Sequence, residues 1–337
     1  MPYDAILLVS FGGPEGPDDV MPFLENVTRG RNIPPARLEK VAEHYYLFNG
    51  VSPINEINRS LLANLINELN AHGPQLPVYW GNRNWHPLLA DAVQQMADDG
   101  VRRSLAFITS AFGSYSGCRQ YREDLIAARE QVGENAPAID VLRRFYNHPG
   151  FIEVMIERLR SAMSELSAEN QQSSRLIFTA HSIPQAMARC GPYERQLNEA
   201  CRLVASGVGR SDWQLAYQSR SGPPTQPWLE PDILALLREP AAKETSRDVI
   251  ICPIGFVAEH MEIVFDLDIE AAELCEELGL NMIRTGVADA HPRFVRMIRE
   301  LALERTQGAP RLALGADGPA PDGAGPECTP ACCLTTI

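Results

Sequence analysis

The chain has 337 residues, of which 45% are hydrophobic, and a formal net charge of −13. That length suffices for one large domain or for two domains of roughly 150 residues each, with a sizeable core. The acidic balance excludes a basic face for nucleic acid and polybasic attachment to anionic lipid. No apolar stretch approaches the roughly 18 residues of a membrane-spanning helix. We therefore expect a cytoplasmic protein without stable membrane insertion.

Short apolar runs alternate with helical patterns along the chain. The N-terminus has one apolar run and no basic lead-in, which predicts a buried strand and not a signal peptide. In chain order we predict a strand at 5–10, a helix at 57–69, a strand at 77–81, a helix at 87–98, a strand at 104–109, helices at 120–132 and 150–165, a strand at 175–180, a helix at 192–205, strands at 213–218 and 248–253, and helices at 259–278 and 292–306. Nearly continuous apolarity is typical of parallel strands covered by helices on both faces. The alternation therefore indicates an α/β fold.

The alternation runs twice, and each half opens on a strand, a polar or Gly/Pro-rich loop and a helix. We predict two doubly wound parallel-sheet lobes, at 1–147 and 148–306, with a cleft between them at the carboxyl ends of the strands. A tail at 307–337 follows, whose residues up to 331 are rich in Gly, Pro and Ala. That composition does not repay an ordering cost of about 1–2 kcal/mol per residue. We expect it to be disordered unless something external holds it.

His181 directly follows the strand at 175–180, at the end where the cleft should open. An imidazole accepts a proton near neutral pH or coordinates a metal. Structural histidines are also common at such positions, so this residue alone leaves both interpretations open.

Glu262, Asp266 and Glu270 lie four residues apart and would form one row on a helix. Charged helix faces usually mix signs, since like charges four apart are unfavourable by about 0.2–0.5 kcal/mol per pair. From residue 248 to residue 283, however, the chain has no Lys or Arg. An uncompensated acidic row that begins beside His260 predicts a path for cations.

The eight cysteines fall into two groups. In a reducing compartment they are core residues, reactive thiols or metal ligands rather than disulfides. Cys252 and Cys275 lie in apolar patterns and are expected in the core. The tail offers no core for its three cysteines, so an inorganic tether is expected there, one thiolate short of the usual four: Cys328, Cys332 and Cys333.

Six segments, in order over nearly the whole chain, together resemble a ferrochelatase: LLVSFGGPEGPDDV, NVTRGR, GVSPIN, TAHSIP, QSRSGP and PIGFVAEHMEIVFDLDIE. The form is similar to that of high-GC Gram-positive bacteria, whose enzymes act on coproporphyrin III. The resemblance implies two Rossmann-like lobes around a porphyrin cleft. It also implies that Fe²⁺ and coproporphyrin III are the substrates and that coproheme is the product of this step in haem synthesis.

The resemblance supplies site residues as well. His181 and Glu262 match the catalytic pair, and together with Asp266 and Glu270 they would handle the metal. We expect the imidazole on one face of the macrocycle and the carboxylate on the other. Segments that line the macrocycle and its propionates carry six further candidates: Arg29, Arg31, Ser52, Arg83, Tyr115 and Ser116.

Many ferrochelatases of this branch carry a [2Fe–2S] cluster. The resemblance implies Cys118 as a fourth ligand beside the three tail cysteines, with Cys190 as the reserve candidate. A zinc site and free tail thiols stay open as alternatives. Related bacterial enzymes are often monomers, and we expect the same here, with transient contacts to neighbouring haem-pathway enzymes.

Other functions stay open at this point. They are a protoporphyrin IX ferrochelatase, a chelatase for a related tetrapyrrole such as sirohydrochlorin, a non-catalytic porphyrin or haem carrier, and an iron–sulfur redox sensor. Sirohydrochlorin chelatases usually carry more active-site histidines than this chain offers. A carrier has no use for a cation path.

Overall fold

The computed structural model describes residues 2–30, 33–223, 225–239 and 247–322. Two four-stranded parallel sheets organise them. The first has the order β2–β1–β3–β4 and consists of β1 (Ala5–Ser10), β2 (Val78–Asn82), β3 (Arg103–Ile108) and β4 (Ala138–Val141). The second repeats it as β6–β5–β7–β8, with β5 (Arg175–His181), β6 (Gln214–Gln218), β7 (Asp248–Cys252) and β8 (Asn281–Arg284). The predicted α/β fold is confirmed.

Helices connect the strands. They are α1 (Pro17–Val27), α2 (Pro35–Tyr46), α3 (Ile54–His72), α4 (Leu89–Asp98), α5 (Gln120–Val132), α6 (Pro149–Met163), α7 (Ala168–Ser173), α8 (Gln185–Arg189), α9 (Tyr193–Gly207), α10 (Ile233–Arg238), α11 (Met261–Phe265), α12 (Ala272–Glu277) and α13 (Pro292–Thr306). A π-helical segment, Tyr115–Arg119, leads into α5, and a second, Asp266–Ala271, joins α11 to α12. Among the described residues, none of these helices has the length and apolar character needed to cross a membrane.

Both faces of the central strands are buried. In β1, Ile6 and Leu8 belong to one hydrophobic cluster, whereas Leu7 and Val9 belong to another that includes residues of α4 and α5. This two-sided burial is why the strand appears as a continuous apolar run. The cluster of Ile6 and Leu8 continues into the second lobe through four aromatic rings, with neighbouring centroids 5.2 to 6.4 Å apart: Phe107, Phe145, Phe151 and Phe294. The two lobes therefore share a core.

The sequence analysis misses the shortest and the most exposed elements. It predicts neither β4 nor β8, which have four residues each, many of them partly exposed. A helix is expected after the loop that opens each half, where α1 and α8 lie, but the predicted ranges include neither of them, nor α2, α7 and α10. The helices α7, α8 and α10 have only five or six residues, too few turns for an apolar period to stand out. The helix predicted at 259–278 consists of α11, a π-helical segment and α12. The boundaries at 147 and 306 stay predictions.

The first part of the tail is attached to the protein body by hydrogen bonds. The buried Asn147 donates from Nδ2 to the carbonyl oxygens of Leu314 (3.2 Å) and Gly318 (2.8 Å), and its own carbonyl accepts from the Leu314 amide (2.8 Å). Ala320 is buried. The expectation of disorder without an external tether is thus wrong for residues 307–322, because a buried amide side chain supplies what their composition lacks. The cysteines at 328, 332 and 333 lie outside the described residues.

A buried ion pair ties the segment after β4 to α13. Arg143 donates from Nη2 and Nε to the two carboxylate oxygens of Glu304, both at 2.8 Å, and the two side chains are 1% and 4% exposed. Arg143 Nη2 also donates to the carbonyl oxygen of Leu312 at 2.7 Å. Removal of one partner from such a site leaves a buried charge without compensation.

Glu304→Gln should therefore lower the free energy of unfolding by about 3–5 kcal/mol, measured by urea denaturation. The control is Glu157→Gln, since that side chain is 69% exposed and, among the described residues, its carboxylate pairs only with His291. An exposed pair contributes less than about 1 kcal/mol. Equal effects of the two substitutions would contradict the prediction.

Candidate active site

His181 is the last residue of β5, and its surroundings fix the orientation of the imidazole. The ring Nδ1 lies within hydrogen-bond distance of the Ser182 carbonyl oxygen, so Nδ1 carries a proton. Tyr193 donates its hydroxyl to the His181 carbonyl oxygen at 2.9 Å, and the Ser182 amide donates to Gln218 at 2.8 Å. The backbone at the end of β5 is therefore held in place, and Nε2 faces Glu262 Oε2 at 3.6 Å.

Glu262 lies in the first turn of α11, between two imidazoles. Its Oε2 is 3.6 Å from His181 Nε2 and 3.4 Å from His260 Nε2. The loop between β7 and Glu262 passes close to β5 at Gly255, where an added Cβ would lie 2.5 Å from the Cβ of Ala180. A side chain at that position would separate the carboxylate from its histidine partner.

The charges of His181 and Glu262 favour one another. Burial lowers the pKa of His181, but the facing Glu262 carboxylate outweighs it and raises the pKa to about 9. Burial likewise raises the pKa of Glu262, but the two imidazoles outweigh it and hold the pKa well below its usual range. Near neutral pH the free protein thus contains an imidazolium beside a carboxylate.

This contact corrects the expectation that the imidazole and the carboxylate take opposite faces of the macrocycle. A flat ring between them would need two van der Waals contacts of about 3.5 Å each, whereas the two atoms are 3.6 Å apart. The groups lie together because β5 and β7 are neighbours and the loop after β7 leads directly into α11. A macrocycle therefore does not fit between His181 and Glu262 as the structure places them.

Asp266 opens the π-helical segment and is held by the end of β6. It accepts a hydrogen bond from the Ser219 hydroxyl, and Gln218 Nε2 lies 3.4 Å from its Oδ2. Gln218 also donates to the Glu262 carbonyl oxygen at 2.9 Å. Burial raises the pKa of Asp266 to about 7, and the neighbouring carboxylates of Glu262 and Glu270 add to the rise.

The widened helix keeps the three carboxylates in line. In an α-helix of 3.6 residues per turn, side chains four apart overshoot one turn and drift around the axis. The π-helical turns between Asp266 and Glu270 close with i→i+5 hydrogen bonds, so four residues fall short of a turn and the drift reverses. Glu270 as a whole residue is exposed. The partial burial of its carboxylate, and then the charges of Asp232 and Glu273, raise its pKa. The row thus leads from Glu262 towards solvent.

The row is open and does not form a metal cage. Within the described parts of the chain, no three or more His, Cys, Asp or Glu side chains are grouped as a ready metal site. The metal-handling role predicted for His181 and the three carboxylates accordingly stays a prediction.

The first lobe supplies the candidates for porphyrin contact. Arg29 is exposed after α1, and its guanidinium has no hydrogen bond or ion pair to any described residue, although its amide donates to the Asn26 carbonyl oxygen at 3.2 Å. Arg31 lies outside the described residues. Ser52 is buried, and its amide donates to the Pro14 carbonyl oxygen at 2.9 Å, which holds the glycine-rich loop after β1.

The remaining three candidates already have protein partners. The Arg83 guanidinium pairs with Asp124 and lies 4.5 Å from the Tyr121 ring centroid. Tyr115 donates its hydroxyl to Glu123 at 3.0 Å, and the Ser116 hydroxyl lies 4.0 Å from the Met187 sulfur. Direct contact of Arg83, Tyr115 or Ser116 with a porphyrin stays a prediction.

Residues 259–270, which carry the carboxylate row, are called the acidic segment below. Helix α2, which the sequence analysis misses, reaches from the first lobe to this segment. The His44 ring stacks on Phe265, with centroids 3.6 Å apart and planes 8° from parallel. Arg37 donates to the Ser221 carbonyl oxygen. Burial, and then the charges of Glu262 and Asp266, raise the pKa of Tyr45. The sequence EHYY, three residues before GVSPIN, was the available signal.

Gln218 and Ser219 also escaped prediction. Both follow the rule that identifies His181, since β6 ends beside β5 at the same edge of the sheet.

The cysteines differ in exposure. Cys252 and Cys275 are buried, as predicted, and so is Cys201. Cys118, in the π-helical segment before α5, and Cys190, after α8, are partly exposed.

The two doubly wound lobes and the site at the strand ends define the chelatase class of fold. A solved structure, the sirohydrochlorin chelatase SirB from Bacillus subtilis subspecies spizizenii in complex with cobalt, superposes with a TM-score of 0.55. It is 10% identical and covers 91% of this chain and 96% of its own. At that identity the likeness shows the fold alone.

The chain belongs to the ferrochelatase family, whose model matches residues 3–306. A ferrochelatase from Rhodopirellula baltica is 54% identical over 336 residues, which cover 99% of this chain and 94% of that protein. A coproporphyrin III ferrochelatase from Mycolicibacterium smegmatis is 49% identical over 339 residues, with coverage of 98% and 99%. The resemblance seen in the sequence is confirmed, and the chain is a metal-chelating enzyme.

Asp266→Asn should stabilise the metal-free protein. The folded-state pKa of Asp266 is about 7 against an ordinary 3.8, so the native state binds the proton more tightly and loses stability as the pH rises through this window. Asparagine removes that penalty and still accepts the Ser219 hydrogen bond. We expect a gain of about 1–2 kcal/mol at pH 8 after solvent screening, and a smaller gain at pH 5, both measured by thermal unfolding.

Asp268→Asn is the matched control on the same segment. Asp268 binds Arg284 through both carboxylate oxygens, so its neutralisation should lower stability at pH 8. A gain for Asp268→Asn, or a loss for Asp266→Asn, would contradict the assignment of the two charges.

Proposed function

We propose that the protein inserts Fe²⁺ into coproporphyrin III and forms coproheme. The observation that carries the proposal is the His181–Glu262 pair at the inner end of an open carboxylate row. Family membership supports metal insertion into a porphyrin. The name of the M. smegmatis relative supports the four-propionate substrate.

Insertion exchanges two pyrrole N–H protons for one dication, so the site must hold the metal and accept two protons. Glu262 is ionised in the free protein and suits the metal. His181 is protonated there, and it must release that proton to solvent before its Nε2 accepts another. A dication close to Glu262 opposes the imidazolium and lowers its pKa. Arrival of the metal therefore frees the imidazole to accept the two pyrrole protons one at a time, each passed on to solvent.

Asp266 and Glu270 supply oxygen donors between solvent and Glu262, and such donors suit a divalent ion. The guanidinium of Arg29, which has no partner among the described residues, is available for a bidentate contact with a propionate. The Arg31 assignment rests on the sequence alone.

His181→Ala should lower the rate of iron insertion more than tenfold, a barrier increase above about 1.4 kcal/mol. Anaerobic, iron-dependent loss of porphyrin fluorescence measures that rate. His72→Ala is the control, because His72 is exposed and its imidazole pairs only with Glu68 within the part of the chain that the structure describes. Wild-type kcat/KM should be higher for coproporphyrin III than for protoporphyrin IX. A His181→Ala variant above a tenth of wild-type activity overturns the catalytic role, and equal or reversed kcat/KM values overturn the substrate.

We also propose that Cys118 binds a [2Fe–2S] cluster with Cys328, Cys332 and Cys333. Partial exposure of the Cys118 thiol supports the assignment, in contrast to the buried core cysteines. The loop before it contacts the segment after Cys190, since an added Cβ at Gly113 would lie 2.9 Å from Pro192. Both candidate fourth ligands thus occupy adjoining segments. A bound cluster would pin the tail to the first lobe.

Protein as isolated should be reddish-brown, with sulfide and about two irons per chain. Cys118→Ser should remove the colour, whereas the buried Cys275→Ser should keep it. Loss of colour in Cys190→Ser, with colour kept in Cys118→Ser, would transfer the fourth ligand to the reserve candidate. A colourless wild type, with zinc or with free tail thiols, would overturn the cluster.

A further inference from the structure

Arg284, the last residue of β8, holds the acidic segment at two points. Its Nε and Nη2 donate to the two carboxylate oxygens of Asp268, with Nη2 at 2.9 Å from Oδ2. Its Nη1 donates to Glu259 Oε1 at 2.8 Å and to the Thr285 carbonyl oxygen at 3.1 Å. The Arg284 side chain is 19% exposed. All of its hydrogen-bond donor groups are thus directed into this one network.

The two carboxylates that it binds flank the reacting groups. Glu259 directly precedes His260 and lies three residues before Glu262, and its amide donates to Asp289 at 3.1 Å. Asp268 lies two residues after Asp266, inside the π-helical segment. One guanidinium therefore spans the approach to α11 and the turn that follows it.

The same contacts divide the carboxylates of the segment into two sets. Arg284 neutralises Glu259 and Asp268, whereas Glu262, Asp266 and Glu270 have no Lys or Arg at ion-pair distance among the described residues. The Arg284 guanidinium thus relieves charge repulsion within the acidic segment without binding Glu262, Asp266 or Glu270, which form the row that faces the cleft.

A π-helical turn is rarer than an α-helical one and needs outside contacts to persist. If the π-helical segment relaxed to an α-helix, Glu270 would rotate out of line with Glu262 and Asp266. A bidentate arginine resists such rotation because its planar fork fixes direction as well as distance. Partly buried ion pairs add little net stability, so the main effect of this one is geometric.

We propose that Arg284 is a positioning residue for metal insertion, which holds residues 259–268 so that Glu262 and Asp266 are directed at the incoming ion. The inference rests on the proposed function. Arg284 contacts neither substrate itself and acts through the carboxylates.

The test compares Arg284→Gln and Arg284→Lys with the same two substitutions at Arg293. Arg293 is a matched control, since it is 21% exposed and also binds two carboxylates, Glu153 at 2.8 Å and Glu300 at 3.0 Å, which lie on α6 and α13 and not on the acidic segment. For each variant we would measure the thermal midpoint, coproporphyrin III affinity by fluorescence, and kcat and KM for Fe²⁺.

Arg284→Gln should lower kcat/KM for Fe²⁺ by about 10–100-fold, the range for partners that orient metal-binding groups, with coproporphyrin affinity within about twofold of wild type. Arg284→Lys should recover part of the loss, because it restores the charge but not the fork. Arg293→Gln should shift the thermal midpoint but leave kcat/KM for Fe²⁺ within about twofold of wild type.

Equal losses of activity at both positions, or Fe²⁺ kinetics unchanged in Arg284→Gln, overturn the inference. If Arg284→Gln does not fold, Glu259→Gln and Asp268→Asn each remove half of the contact and should show the same selective loss. A wild-type protein that inserts no iron overturns the proposed function and the inference with it, whereas an active wild type with an unaffected Arg284→Gln overturns the inference alone.

Discussion

A row of carboxylates with no basic residue of its own repels itself, and the second lobe is arranged around this constraint. The carboxyl end of each strand in its sheet positions residues that contact the row or carry it. Strand β5 provides His181, β6 provides Gln218 and Ser219, β7 leads into the acidic segment, and β8 provides Arg284. In a parallel sheet these ends meet at one edge. The fold thus surrounds a single helix edge with its compensating groups, and the cleft-facing edge itself stays uncompensated.

The first lobe contributes a second wall rather than a second set of charges. Its sheet shares an aromatic core with the other lobe, which limits how far the two can separate without exposing buried rings. Helix α2 belongs to a small cluster of its own around Phe23 and meets the acidic segment through the stacked His44 and Phe265 rings. Helix α2 is therefore joined to the second lobe at both of its ends, through Arg37 to the Ser221 carbonyl oxygen and through His44 to Phe265.

Local patterns made much of this predictable. The buried strands β1, β3, β5 and β7 are continuous apolar runs, and His181 and the acidic row stand out by position and spacing. What failed depends on contacts between distant residues. Arg284 binds Glu259 and Asp268, which are 25 and 16 residues away in sequence, and no sequence pattern predicts these contacts. The contact between His181 and Glu262 follows from the order of β5 and β7 in the sheet, which a single sequence does not encode locally.

An open row suits delivery better than a closed cage. Under the proposed function, a dication that moves along Glu270, Asp266 and Glu262 meets one or two carboxylates at a time, since no ready group of three or more ligands occurs within the described ranges. Each site would relieve the repulsion between carboxylates that, after burial, raises the pKa of Asp266. None offers the full ligand set that makes a structural metal site tight. At the inner end, four pyrrole nitrogens can then outcompete a single carboxylate, provided that their two protons are removed. His181 Nε2 can accept these protons one at a time and pass each to solvent, because an ion at Glu262, 3.6 Å away, lowers the pKa of the imidazole.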